Sequence, residues 1–119
     1  MSEKTQTQWT LGDEVTAPNT GEELIQVPIA QGYKGKIMGF WLSSTDPLGN
    51  VLKLNWKSDG VAKSQMIVLG GIGTVFVTTE TAFNDTDPAD PMSNVTVTTT
   101  TAGMAGSKYQ ASLLIKEVP

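Results

Sequence analysis

Histidine, arginine and cysteine are wholly absent from this chain of 119 residues. Each absence removes chemistry. Without cysteine there is no disulfide framework and no thiolate metal site, so the fold must hold by core packing or by association with copies of itself. Without histidine, the usual base for an activated serine or threonine is missing. No Ser-x-x-Lys spacing offers a lysine in its place. All 8 cationic residues are lysines, set against 12 carboxylates for a net charge of −4. That balance supplies no basic stripe for nucleic acid and disfavours anionic lipid surfaces. No apolar run approaches the 18 residues of a membrane-spanning helix. The polar start, residues 1–8, has no apolar stretch of the signal-peptide kind.

What is present points to strands. Threonine is abundant, and 12 glycines and 6 prolines punctuate the chain at short intervals. Threonine is β-branched and suits a pleated surface, while no segment repeats apolar residues at i, i+3, i+4 and i+7. The length fits one domain with one core. The expected fold is therefore all-β, an antiparallel two-sheet β-sandwich of jelly-roll or immunoglobulin-like type. It should have seven or eight strands over residues 9–119, behind a flexible arm at residues 1–8. Strand order is left open by the sequence.

Period-2 alternation sets the expected faces. Ile25, Val27 and Ile29 share one face against Leu24, Gln26 and Pro28, and Pro28 places its strand at a sheet edge. Ile37-Met38-Gly39-Phe40-Trp41-Leu42 is apolar on both faces, as in a central strand. Leu52, Leu54 and Trp56 point in while Lys53, Asn55 and Lys57 point out, before a hairpin at Asp59-Gly60. Strands are expected at 65–69 and 73–79, joined by a tight Gly70-Gly71-Ile72 hairpin. Residues 83–92 read as a solvated loop stiffened by Pro88 and Pro91. Val95 and Val97, then Tyr109, Ala111, Leu113 and Ile115, point inward on the last two strands.

Site chemistry is sparse, and the sequence does not read as an enzyme. Candidate carboxylate pairs for glycoside hydrolysis, among Asp13, Glu14, Glu22, Glu23, Asp46, Asp59, Glu80 and the group Asp85, Asp87 and Asp90, lie mostly in turns or at a strand start and lack a cleft of long loops. The acidic loop with Asp85, Asp87 and Asp90 is the one candidate metal site, for Ca2+ held by oxygen ligands, though its spacing is not that of an EF-hand. No other cofactor is expected. Gly70-Gly71-Ile72-Gly73-Thr74 lacks the Lys-Ser/Thr ending and the helix of a phosphate loop. Trp9, Tyr33, Phe40, Trp41 and Trp56 are the interaction candidates. Phe40 and Trp41 are consecutive and must face opposite ways, so either both faces are covered or one ring is exposed and needs a partner.

The polar arm at residues 2–8, the run Gly35-Lys-Ile-Met-Gly-Phe-Trp-Leu-Ser-Ser44 and the closing Gly106-Ser-Lys-Tyr-Gln-Ala-Ser-Leu-Leu-Ile115 resemble small all-β structural proteins of tailed-phage virions. The resemblance is to the head-decoration or cement proteins above all. It is one of style across the whole chain and carries over no functional residue. It implies a protein made in the host cytoplasm and resident in the virion, which forms homo-oligomers, often trimers, and docks on a capsid. It also implies an arm that orders on binding. The alternative is a carbohydrate-binding or adhesion module that stacks sugars on exposed aromatics.

Overall fold

The computed structural model describes residues 6–78, 83 and 85–119. Among them are nine strands and no helix: β1 (Gln6–Leu11), β2 (Val15–Thr16), β3 (Glu23–Pro28), β4 (Lys34–Ser44), β5 (Asn50–Ser58), β6 (Val61–Leu69), β7 (Gly73–Val77), β8 (Asn94–Thr99) and β9 (Lys108–Val118). No helix of the described residues is long and apolar enough to cross a membrane.

The strands form one sheet in the order β1-β9-β4-β7, with β2 also on β9, and a second in the order β3-β8-β5-β6. All pairings are antiparallel. β5 pairs β6, β4 pairs β7, β3 pairs β8 and β1 pairs β9. The chain is thus one long hairpin whose successive pairs fall in alternate sheets, which is the winding of a jelly roll. Only β5 and β6 are consecutive partners, so the immunoglobulin-like alternative, in which neighbouring strands share a sheet, is set aside. The hairpin tip is Asp59-Gly60, with positive φ at both positions (49° and 76°), as a two-residue primed turn requires.

The inward positions follow the alternation. Leu52, Leu54, Val95, Val97, Tyr109, Ala111 and Leu113 are fully enclosed between the sheets, and Trp56 and Phe40 are buried with them. Each large apolar side chain so buried contributes about 1.5–3 kcal/mol. Pro28 ends β3 at the edge of the four-stranded sheet, where its missing N–H costs no ladder bond.

Several expectations are corrected. The ninth strand is β2, a two-residue continuation of β1 beyond the bend at Gly12; both pair with β9. Residues 6–8, assigned to the arm, already pair with β9; residues 1–5 lie outside the described residues. Leu24 is buried, not outward, because the β3–β8 register slips between Glu23 and Ile25. β6 starts at Val61, immediately after the turn. Gly70-Gly71-Ile72 is not a hairpin: β6 and β7 lie in different sheets, and the glycines carry the chain from one to the other.

The loop before β8 is not simply solvated. Phe83 is buried and meets Phe40 edge-on at 5.7 Å. Ala89 bridges to Gly35 and is fully enclosed. Residues 79–82 and 84 lie outside the described residues.

Candidate functional site

The site begins with a bulge. The β4–β9 register shifts between Ile37 and Gly39, so Ile37, Phe40 and Leu42 all point into the core and Trp41 points out. At Gly39 a side chain would run into the backbone carbonyl of Val77 on β7. Glycine is required there by close approach of the neighbouring strand.

Across the outer face of the five-stranded sheet, one row reads Leu11, Ser112, Trp41 and Phe76 on β1, β9, β4 and β7. The next row reads Trp9, Leu114 and Gly39. β1 and β7 are three strand spacings apart, about 14 Å. Even so, the Trp9 and Phe76 rings stack at 5.8 Å with 18° between their planes. To reach Phe76 the indole must lie across the two strands between them, β9 and β4. Together Trp9, Leu11, Trp41, Phe76, Gln110 and Ser112 line a cleft of about 410 Å3. Its walls are apolar: Phe76 is 61% exposed and Leu11 76%.

Its floor is polar. Ser112 is 2% exposed, and its Oγ has no hydrogen-bond partner among the described residues. A buried hydroxyl left unbonded costs about 1–3 kcal/mol, so such an atom calls for an explanation. At the rim, Gln110 donates its Nε2 to the Gly12 carbonyl at 2.9 Å, which leaves its own side-chain carbonyl to accept.

The other sheet presents a different surface. Outward on β5, β6 and β8 lie Lys53, Asn55, Ser64, Met66, Val68, Thr96 and Thr98. The Asn55 amide donates to the Lys53 carbonyl and to the Thr96 and Thr98 hydroxyls. The hollow of about 450 Å3 beside it, lined by Lys53, Asn55, Lys57, Ser64 and Asn94, therefore has a hydrogen-bonded floor. Towards one end the polar residues give way to an aliphatic strip. Val68 pairs with Val51 and Met66 with Lys53, and Leu48 and Val51 border the same shallow hollow as Val68. Leu48, Val68, Ile72 and Met66 are 79, 66, 71 and 56% exposed.

A buried polar cluster fixes the loop carrying Leu48. Asp46, 1% exposed, accepts from the Tyr109 hydroxyl at 2.7 Å and from the Met104 and Leu48 backbone N–H groups at 3.0 Å each. Asn50 donates to Tyr109 Oη at 3.2 Å. The Tyr109 hydroxyl, followed by the Met104 N–H, holds the Asp46 carboxyl below its usual range; burial and the neighbouring carboxylate push the tyrosine up.

The sequence candidates divide. Trp9 and Trp41 come together in the cleft. Phe40 and Trp56 are core, and the Trp56 indole N–H donates to the Asp87 carbonyl at 2.9 Å. Tyr33 sits half-buried in the turn before β4, away from both. Asp85 and Asp87 both pair with Lys63, at 2.9 and 3.2 Å. Those carboxylates hold the ammonium above its usual range, and Lys63 in turn lowers Asp85. Asp90 instead accepts from the backbone N–H groups of Asp59 and Gly60 and so caps the hairpin tip, which lowers it too. The acidic loop was expected to be solvated, but its carboxylates tie it to β6 and to the turn. Among the described residues no group of three or more potential ligands stands together as a metal site.

Sequence reasoning missed Phe76, Leu11, Gln110 and Ser112. A signal for Phe76 existed, because Val75 and Val77 flank it and the alternation puts it outward if they face in. Ser112 has no such signal, since its place between two apolar neighbours depends on strand order. No protein-family model matches the chain, and comparison with curated proteins and with solved structures finds no match to it.

Proposed function

We propose that this protein is a non-enzymatic structural protein of a virion, of the capsid-decoration kind, that works through contacts with copies of itself and with a shell. One observation carries the reading: the aliphatic strip in which exposed Leu48, Met66 and Val68 flank half-buried Val51. Its own side chains are all apolar, with Lys53 and Thr100 at its border, which is the arrangement of an apolar interface centre, where methionine is enriched, inside a polar rim. The loop bearing Leu48 is held by the Asp46–Tyr109 cluster, so the strip is presented on rigid backbone. Loss of conformational freedom on docking is then small.

The test is light scattering on the full chain, with co-sedimentation against phage shells lacking decoration. The expected result is a discrete oligomer, a trimer being favoured by the resemblance, together with shell binding that both fall when Met66→Ser and Val68→Ser are combined. A chain that is strictly monomeric at every concentration and sediments with no shell overturns the proposal.

A further inference from the structure

We infer that the aromatic cleft on the five-stranded sheet binds the ring of a pyranose sugar. The inference does not depend on the assembly reading, which concerns the opposite sheet. It rests on a match between two features of the cleft and two features of the ligand. A pyranose has an apolar face of C–H groups and an edge of hydroxyls. The cleft offers flat rings, Trp9, Trp41 and Phe76, as its walls. At its floor it holds the orphaned Ser112 hydroxyl, which can both donate and accept, and at its rim the Gln110 carbonyl, which accepts. A purely apolar ligand would leave Ser112 as unsatisfied as before. A sugar stacked on Trp41 would place a hydroxyl against it and remove that cost.

The volume agrees. A cleft of about 410 Å3 lies at the small end of ligand pockets and admits one or two sugar rings. Entry requires a ring to move, since Ser112 is 2% exposed. Phe76 stands on an edge strand and is 61% exposed, so it can turn and release the Trp9 indole, which spans β9 and β4 to reach it, without disturbing the core. Ligand binding should therefore break the Trp9–Phe76 stack and alter tryptophan emission. No covalent chemistry is involved.

The probes are the methyl β-pyranosides of glucose, galactose and N-acetylglucosamine, linear oligomers of each, and cyclohexylmethanol as an apolar ring with one hydroxyl. Titrations of the full chain are followed by tryptophan fluorescence and calorimetry. At least one pyranoside should saturate with a Kd on the order of 1 mM, as expected for so few atoms, and cyclohexylmethanol should bind more weakly. Phe76→Ala should weaken binding about tenfold and Ser112→Ala about three- to tenfold. Both positions lie outside the core; a melting curve unchanged for Phe76→Ala, and unchanged or shifted upward for Ser112→Ala because the unbonded hydroxyl is gone, verifies that each variant folds. Trp41→Phe, which keeps a ring, should retain most of the affinity. Tighter binding of longer oligomers assigns the ligand to a polysaccharide chain; equal binding assigns it to a single terminal sugar. Four results overturn the inference: silence across the panel, equal affinity for cyclohexylmethanol and the sugars, binding unchanged in both Phe76→Ala and Ser112→Ala, or an emission change produced by protein dilution alone, which would mean that a second copy covers the cleft.

Discussion

On the five-stranded sheet the outward positions hold rings; on the four-stranded sheet they hold hydroxyls, amides, lysines and a strip of aliphatics. Inside, the two sheets are alike, each supplying leucine, isoleucine and large aromatics to a common core, Phe40 and Tyr109 from the one and Trp56 from the other. The difference therefore lies on the surfaces, where packing does not dictate the residue. It also extends to hydrogen bonding. Asn55, Thr96 and Thr98 satisfy one another on the four-stranded sheet, whereas Ser112 on the five-stranded sheet has no partner among the described residues. A saturated polar surface with an aliphatic border suits association with protein. An apolar cleft with one open polar position suits a small hydroxylated ligand.

The contrast is tested hardest at Gly39. The bulge that turns Trp41 outward brings β7 so close that an added Cβ meets the Val77 carbonyl and the Thr78 backbone at 2.9 Å. Gly39→Ala should cost more than about 3 kcal/mol or prevent folding, because neither contact is a flexible side-chain end. On the other sheet, Ser64→Ala at an exposed position should stay within about 0.5 kcal/mol. Urea midpoints measure both, and similar losses would erase the distinction between a pinned sheet and a regular one.

A smaller loss is expected at the end of the sandwich that presents the strip. Tyr109→Phe removes the donor to Asp46 and the acceptor for Asn50. Leaving those buried groups short of a partner should cost about 1–3 kcal/mol in denaturant unfolding. It should also loosen the loop that carries Leu48, which amide exchange of residues 46–49 would detect.

Much of the interior was legible in the sequence because burial imposes a period. The alternations at 25–29, 52–56, 95–97 and 109–115 place the inward residues correctly. The Asp59-Gly60 turn was equally plain, since few residues tolerate two positive φ angles in succession. Where the period breaks, the reading fails. The slip near Leu24 reassigns faces with no local signal to mark it, whereas the one near Met38 is signalled by Gly39, a glycine inside a strand pattern being a mark of a bulge. Gly70-Gly71-Ile72 has the composition of a hairpin but crosses between sheets, because glycine specifies freedom and not direction. The site was half legible. Trp9 and Trp41 were visible as aromatics, but their meeting depends on a strand order in which β9 separates β1 from β4.

Acid should act through groups that bear on the four-stranded sheet and its loops. Asp46, Asp85 and Asp90 are all held below the ordinary value of 3.8, by the Tyr109 hydroxyl, by Lys63 and by the Gly60 N–H respectively. A carboxyl whose folded value is lowered stabilises the fold fully above 3.8 and loses that contribution as pH falls through the folded value. Melting temperature should therefore be level from pH 7 to about pH 5 and decline below about pH 4. Asp90→Asn removes one of the three groups and should make the acid decline shallower. A melting temperature that rises on acidification would contradict the assignment.

The smallest stability effect is expected where the largest effect on association is proposed. Met66 and Val68 stand outward on β6, an edge strand, with more than half of each side chain in solvent. Replacing both with serine removes little packing, so the unfolding free energy should change by no more than about 0.5 kcal/mol per site. The mass measured by light scattering should nevertheless fall toward the monomer, because the apolar area that drives docking is gone. Trp41→Ala should do the reverse, abolishing the sugar response while leaving the oligomer intact. If instead Trp41→Ala dissociates the oligomer and the serine pair does not, the roles of the two sheets are exchanged, and the aromatic face is the one that proteins share.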